Sequence, residues 1–356
     1  MGYKDEQYIK LNNLANDIIS TLPDFAGKFF YHVKNQGMSM RTRLQYAYDM
    51  QRFFGWLQSS AGFRDVDIKG LTAKETIGLL TVDDIQEYAD TLEFTSSGAS
   101  DSNEAHISAA STRARKISSL RSFYKYYFKI GEIDKDLASL IDVPKVDDKI
   151  KKSMDREQVA RILGTVKDTA GMTDGEIKRH GKIVLRDTAI MMLLLGTGLR
   201  VSELVGIDVD DIDFYNASIL VTRKGGGEDE VFFGPEVQDA LAEYFDDGRP
   251  PLLVPEIEDK AFFLSMQHKR LTVRSVQKMI EGYAKKAGLN MKVSPHAMRR
   301  SFATNLYEET SDIYLVADAL HHSSVETTRK HYARMSDEHK RTAAKKSSTI
   351  FEDLEQ

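Results

Sequence analysis

Six residues spread over the second half of the 356-residue chain have the types that phosphodiester chemistry requires: Arg200, Lys224, His296, Arg299, His322 and Tyr332. A tyrosine hydroxyl is a nucleophile, but with a pKa of about 10 it attacks poorly at neutral pH unless its neighbours help. A planar guanidinium can grip two non-bridging phosphate oxygens at once, which a lysine ammonium cannot. Preorganised donors of that kind lower a barrier by roughly 3 kcal/mol each where negative charge accumulates. Taken singly, every one of these residues has an ordinary alternative. Arg200 can pair with Glu203 at a helix start, Lys224 can solubilise a turn, and either histidine can cap or pack. Tyr332 is one of 15 tyrosines, most of which only pack.

The elements that must carry them have two textures. Residues 1–133 read as helices. Met38 to Gln58 places Leu44, Tyr48, Phe53 and Leu57 near helical spacing, with Ser39 as cap. Val82 to Leu92 is a short amphipathic helix with Asp83 as its candidate cap, and Phe94 to Asp101 is a loop by composition. Ser111 to Phe128 sets Ile117, Leu120, Tyr124, Tyr127 and Phe128 on one stripe, beside a row of Arg121, Lys125 and Lys129 at intervals of four. Residues 134–153 are polar, contain Pro144 and read as a linker.

A domain over 154–339 follows. Met154 to Val166 and Ile183 to Leu195 are helical. Ala217 to Arg223 and Glu230 to Phe233 are β-like and flank Lys224-Gly225-Gly226-Gly227, a hairpin signature. That glycine run has the wrong order for a nucleotide-cradling loop. From Val273 the pattern is helical again. His296 and Arg299 are three apart and share a helix face, with Ser294 as cap and Pro295 in the first turn. The stretch Thr165 to Lys182 is long, polar and glycine-containing, and reads as a surface insertion. Residues 340–356 form a tail whose end, with Ile350, Phe351 and Leu354, has helical spacing. The fold class is mainly α with a small β-hairpin or sheet.

Composition narrows the functions. Apolar residues make up 41% and charged residues 29%, as in an ordinary globular protein. With no cysteine there are no disulfides or thiolate metal sites, which fits a reducing cytoplasm. The N-terminus has no apolar signal core, and Glu6 rules out the myristoylation pattern that Gly2 suggests. The most apolar run, Ile183 to Gly196, is too short to span a bilayer and contains Arg186 and Asp187. A net charge of −5 does not advertise a nucleic-acid binder, but phosphate affinity depends on local cations. Ala105 to Gly131 holds six Lys and Arg residues, Arg113, Arg115 and Lys116 among them, and no acid. It is either a phosphate-facing surface or a basic helix without a partner.

In order, Arg, Lys, His-x-x-Arg, His and then Tyr ten residues later resembles the active-site set of the tyrosine site-specific recombinases, the phage integrase family. The strings TGLRVSEL, SPHAMRRSFAT and HHSSVETTRKHYARM resemble its Xer-like bacterial members, and RTRLQYAYDMQRFFGWL resembles its helical core-binding domain. The resemblance covers nearly the whole chain and is strongest over about residues 154–335. Arg300 stands where His is common and His321 where Gly is common; His322 is the histidine that aligns with HSSVETT. The resemblance implies a C-shaped clamp on double-stranded DNA, built from a helical core-binding domain and a mixed α/β catalytic domain. Tyr332 would become a 3′-phosphotyrosine, Arg200 and Arg299 would grip the phosphate, and Lys224 would protonate the departing 5′-oxygen. His296 would assist proton transfer at the tyrosine and His322 would hydrogen-bond the phosphate. One ester replaces another, so neither metal nor ATP is implied and no cofactor is expected. It further implies a homotetramer on two sites passing through a Holliday junction, with the tail docking between subunits, and leaves room for a second recombinase or an accessory protein. Arg41, Thr42, Tyr46, Arg113, Arg115 and Lys116 are the candidate DNA contacts. Chromosome dimer resolution and mobile-element integration or excision use this same mechanism. The other readings are a type IB topoisomerase and a catalytically silent DNA-binding regulator of the same fold.

Overall fold

A computed structural model describes residues 3–59, 62–96, 105–145, 153–223, 226–254 and 260–321. The chain divides into two compact units, Met1–Lys149 and Ile150–Gln356. No helix among the described residues is long and apolar enough to cross a membrane.

The first unit contains α1 (Tyr3–Ser20), α2 (Ala26–Asn35), α3 (Met40–Ser59), α4 (Val82–Thr91) and α5 (Ala110–Lys129). Its core is aromatic. Phe25, Phe29, Phe54, Phe123 and Tyr127 meet mostly edge to face, with Phe29 and Phe123 centroids 5.0 Å apart. Such pairs add about 1 kcal/mol each beyond the area they bury. Tyr124 and Tyr127 are fully buried and satisfy their hydroxyls on the carbonyls of Ile77 and Phe25. Helix α3 begins on Ser39, whose hydroxyl accepts from the Thr42 N–H, but its buried stripe runs through Ala47, Met50, Phe53, Phe54 and Leu57. Tyr48, expected on that stripe, is exposed, as is Phe128 on α5. Thr81, rather than Asp83, caps α4 in a reciprocal box with Asp84. The segment expected as a loop from Phe94 contains β1 (Phe94–Ser96), which pairs antiparallel with β2 (Ala105–Ile107). The start of the expected linker belongs to this core: Leu137 and Ala138 are buried, and Arg121 donates to the carbonyls of Ala138, Ser139 and Ile141.

The second unit is built around α8 (Val184–Thr197), which packs against α6 (Arg156–Lys167), α10 (Pro235–Glu243) and α12 (Pro295–Thr310). Its Arg186 and Asp187 are buried and tolerated because they satisfy each other. The guanidinium Nη2 is 2.7 Å from Asp187 Oδ1, its Nη1 donates to the Leu264 carbonyl, and the Tyr283 hydroxyl donates to Asp187 Oδ2. Burial, the largest influence, pushes the Asp187 carboxyl up despite these partners. The region expected as a surface insertion contains α7 (Asp174–Gly181), and its His180 is buried with Nε2 2.7 Å from the Val166 carbonyl oxygen.

Helix α9 (Val201–Leu204) leads to an antiparallel sheet of order β3 (Ile212–Asp213), β4 (Ser218–Thr222), β5 (Glu228–Phe232). Its register pairs Ile219 with Val231 and Thr222 with Glu228, so Ile219, Val221 and Val231 face the core. Strand β5 begins two residues before the sequence expectation, and β3 was not expected. Helices α11 (Val273–Lys286), α12 and α13 (Ile313–Ala319) complete the described part.

Candidate active site

Helix α8 ends at Gly198, whose φ of +64° favours glycine. A Cβ there would lie 2.4 Å from Phe302 Cδ1, so the close approach of α12 also requires the missing side chain. This turn delivers Arg200 to the start of α9. The Arg200 N–H donates to Glu203 Oε2 at 2.8 Å, and its Nη1 donates to Glu203 Oε1 at 2.9 Å. The side chain of Arg200 is 30% exposed, whereas that of Glu203 is 4% exposed. The pairing read from the i, i+3 spacing therefore exists, and it holds one edge of a guanidinium that still reaches solvent.

Glu203 also receives Arg223 Nη1 at 2.9 Å. Arg223 Nε in turn donates to Asp229 Oδ2 at 2.9 Å, and that oxygen is 2.6 Å from His321 Nδ1. Positive and negative groups thus alternate from α9 across the hairpin to the corner after α13. Burial and then the Arg223 charge lower the His321 pKa, against the opposing pull of Asp229, Asp318 and Glu203. His321 is accordingly neutral at neutral pH, with Nδ1–H donating to Asp229.

Ser294 caps α12 by accepting from the Ala297 N–H, and Pro295 occupies the first turn, as the sequence predicts. His296 in that turn is exposed, and Arg299 is buried. The Arg299 guanidinium donates from Nη1 to the Gly198 carbonyl and from Nη2 to the Leu320 carbonyl. Gly198 is two residues before Arg200, and Leu320 is two before His322. One side chain therefore joins the turn carrying Arg200, the helix carrying His296 and the end of α13. Lys224, His322 and Tyr332 lie outside the described residues, as does the tail 340–356. On either side of Lys224, the Arg223 N–H donates to the Gly227 carbonyl at 2.7 Å, and the Gly226 N–H to the Arg223 carbonyl at 3.1 Å. Among the described residues no group of three or more histidines or carboxylates is placed to hold a metal ion.

Glu203, Arg223, Asp229 and His321 are the contributors missing from the sequence-derived set. Only Glu203 had a local signal, its spacing from Arg200. His321 and Asp229 are far apart in sequence, and no local pattern links them.

In the first unit, the candidate DNA contacts have different surroundings. Arg41 is exposed at the start of α3. The Thr42 hydroxyl is 2.8 Å from that of Ser39. Tyr46 stacks on Phe29 and places its hydroxyl 3.4 Å from Ser122 Oγ. Arg113 pairs with Glu93 at 3.3 Å. Arg115 grips buried Asp49 through both Nη1 and Nη2. Lys116 is buried, and desolvation, followed by the charge of Arg52, lowers its pKa. Acidic partners absent from the local sequence thus come from α3 and the segment just after α4.

Comparison with known proteins identifies the family. The family model described as the phage integrase family matches residues 152–339, more than half of the chain. The tyrosine recombinase XerD of Mycobacterium tuberculosis is 32% identical over 293 residues, covering 82% of this chain and 87% of that protein. Among solved structures, the XerH site-specific recombinase bound to palindromic difH substrate in a post-cleavage complex superposes with a TM-score of 0.62. The two share 18% identity, over 86% of this chain and 80% of that one. The Tn1549 transposon integrase in complex with circular intermediate DNA gives a TM-score of 0.61 at 21% identity, over 86% of this chain and 94% of that one. At these identities the solved structures establish the shared fold alone. The family model over the unit holding Arg200 and Arg299, together with a relative above 30% identity across both units, settles the assignment: the chain belongs to the phage integrase family and is a Xer-like tyrosine site-specific recombinase.

Proposed function

We propose that the chain cleaves and rejoins duplex DNA through a 3′-phosphotyrosine at Tyr332, without metal or ATP. Arg200 and Arg299 grip the non-bridging oxygens of the scissile phosphate, and Lys224 protonates the departing 5′-oxygen. His296 assists proton transfer at Tyr332, and His322 hydrogen-bonds the phosphate. The observation that best supports this reading is the Arg299 bridge between the Gly198 and Leu320 carbonyls, because it joins the helix carrying His296 to the turn before Arg200 and to the end of α13. The Arg200–Glu203 pair supports it as well: a carboxylate that fixes one edge of a guanidinium preorganises the rest for an anion. That both solved relatives described above are bound to DNA supports duplex DNA as the partner. Residues 1–133 act as the core-binding domain, with Arg41, Thr42, Tyr46, Arg113, Arg115 and Lys116 on the DNA side, and 154–339 act as the catalytic domain. Four copies act on two sites in the cytoplasm through a Holliday junction, in chromosome dimer resolution or in mobile-element integration or excision.

Covalent trapping tests the chemistry. A nicked duplex of the sequence that the full chain selects from a randomised pool is incubated with wild type and Tyr332→Phe in EDTA, then denatured. An adduct formed by wild type and lost in Tyr332→Phe is the expected result. An undiminished adduct in the variant means another residue is the nucleophile. Binding without any adduct means the chain is a silent binder. Relaxation of a supercoiled plasmid by a lone bound copy would point to a type IB topoisomerase activity.

A further inference from the structure

Three side chains outside the proposed catalytic set tie the β4–β5 hairpin to the corner after α13. Asp229 Oδ2 on β5 takes both Arg223 Nε at 2.9 Å and His321 Nδ1 at 2.6 Å. Arg223, at the end of β4, also holds Glu203, the carboxylate that holds Arg200. The same corner receives Arg299, through the carbonyl of Leu320. Its next residue, His321, has φ +48°, a conformation that side-chain-bearing residues enter at a cost and keep only where surroundings enforce it. The bond to Asp229 is such an enforcing contact. Arg223 immediately precedes Lys224 in the chain, and Asp229 follows it by five residues.

We propose that Asp229 and His321 are positioning residues for Lys224: they reference the hairpin to the corner that also anchors Arg299, and so set where the general acid is presented relative to the gripped phosphate. This rests on the reading of Lys224 as the group that protonates the leaving oxygen. A general acid contributes about 10²- to 10⁴-fold only when it is within hydrogen-bond reach of its target. A displacement of about 1 Å in a supporting contact can forfeit 10²-fold. A hairpin held by one half-buried carboxylate and one half-buried imidazole is therefore sensitive to either group.

A leaving-group substitution tests the idea. In cleavage, Tyr332 Oη attacks phosphorus, the P–O5′ bond breaks, and the departing oxygen takes a proton from the Lys224 ammonium. With sulfur in place of that oxygen, the P–S5′ bond breaks instead. The leaving group is then a thiolate whose acid has a pKa of about 8.5, so it departs without a proton. The full chain is assayed in single turnover on its selected duplex with either linkage. The variants are Lys224→Ala, Asp229→Ala and His321→Gly; glycine keeps the +48° backbone and removes only the ring.

Lys224→Ala is expected to fail on the ordinary linkage and recover on the sulfur linkage. Asp229→Ala and His321→Gly are expected to lose about tenfold or more on the ordinary linkage and to regain nearly the wild-type rate with sulfur. If Lys224→Ala recovers and the other two do not, the positioning role is overturned. If Lys224→Ala does not recover, the general-acid reading fails and the positioning role falls with it. A second measurement needs no DNA. Amide hydrogen exchange within Ser218–Thr222 and Glu228–Phe232 should be faster in His321→Gly than in wild type. Unchanged exchange there overturns the proposal.

Discussion

Two arginines, Arg115 on α5 and Arg299 on α12, show how differently the two units use a cation. Asp49 holds Arg115 through both guanidinium nitrogens, and this carboxylate cancels its charge. Arg299 is more deeply buried and is held by the carbonyls of Gly198 and Leu320. A carboxylate that takes both terminal nitrogens occupies the fork, whereas one that takes a single edge, as Glu203 does at Arg200, orients the rest of it. A count of basic residues along the sequence, which favoured Arg113, Arg115 and Lys116 as a surface, cannot see this distinction.

The comparison predicts its largest effect at Arg299. Arg299→Lys keeps the charge but loses the fork that spans the Gly198 and Leu320 carbonyls. Single-turnover cleavage should fall by about 10² to 10³, as when one preorganised donor is removed. Retention of the wild-type rate would mean that Arg299 is architectural.

The next effect is at the turn beneath it. Gly198→Ala forces a side chain into φ +64° and against Phe302, at 2.4 Å from Cδ1. The second unit should lose about 3 kcal/mol, combining left-handed strain with overpacking. Hydrogen exchange of α8 measures this directly, and full protection in the variant would show that α12 can yield at this contact.

On the first unit's side, Asp49→Asn should cost about 2 kcal/mol, because Asp49 is buried and accepts from Arg115 and Ser119. The chain's one tryptophan, Trp56, lies in the same helix, so its fluorescence during urea unfolding follows this unit. The substitution also uncancels Arg115. If that face meets phosphates, affinity for a random duplex should rise, and the slope of log affinity against log salt should steepen by about one. An unchanged slope would remove Arg115 from the DNA side.

How much of this was legible in the sequence depended on the range of the interaction. Ser294, Pro295 and the Arg200–Glu203 spacing were readable because caps and i, i+3 pairs are local. So was the hairpin around the Lys-Gly-Gly-Gly run. The phase of the aromatic stripes was not. Helices α3 and α5 carry apolar residues on more than one side, and only packing decides that Phe54 and Phe123 go inside while Tyr48 and Phe128 stay out. The two-residue β3 is too short to show a period. Asp49 is 66 residues from Arg115 and 70 from Ser119, so a local charge count found six cations and none of their partners.

The smallest predicted effect concerns His321, because a half-buried imidazole gains or loses little on titration. Its folded pKa lies below the ordinary histidine value because burial and then Arg223 outweigh Asp229, Asp318 and Glu203. The unfolded chain therefore binds this proton more readily than the folded one. The stability linked to this proton, set by burial and Arg223 and opposed by Asp229, is fully present above about pH 6.5 and is lost as pH falls through the lower folded value. Protection of the β4–β5 amides, corrected for intrinsic exchange rates, should decline on acidification below that point in wild type. In His321→Gly it should already be low and should lack this step. Backbone carbonyls do not titrate, so the hold of Arg299 on Gly198 and Leu320 should persist while the hairpin loosens. A common decline of α8 and hairpin protection would mean that the two anchors at this corner act as one.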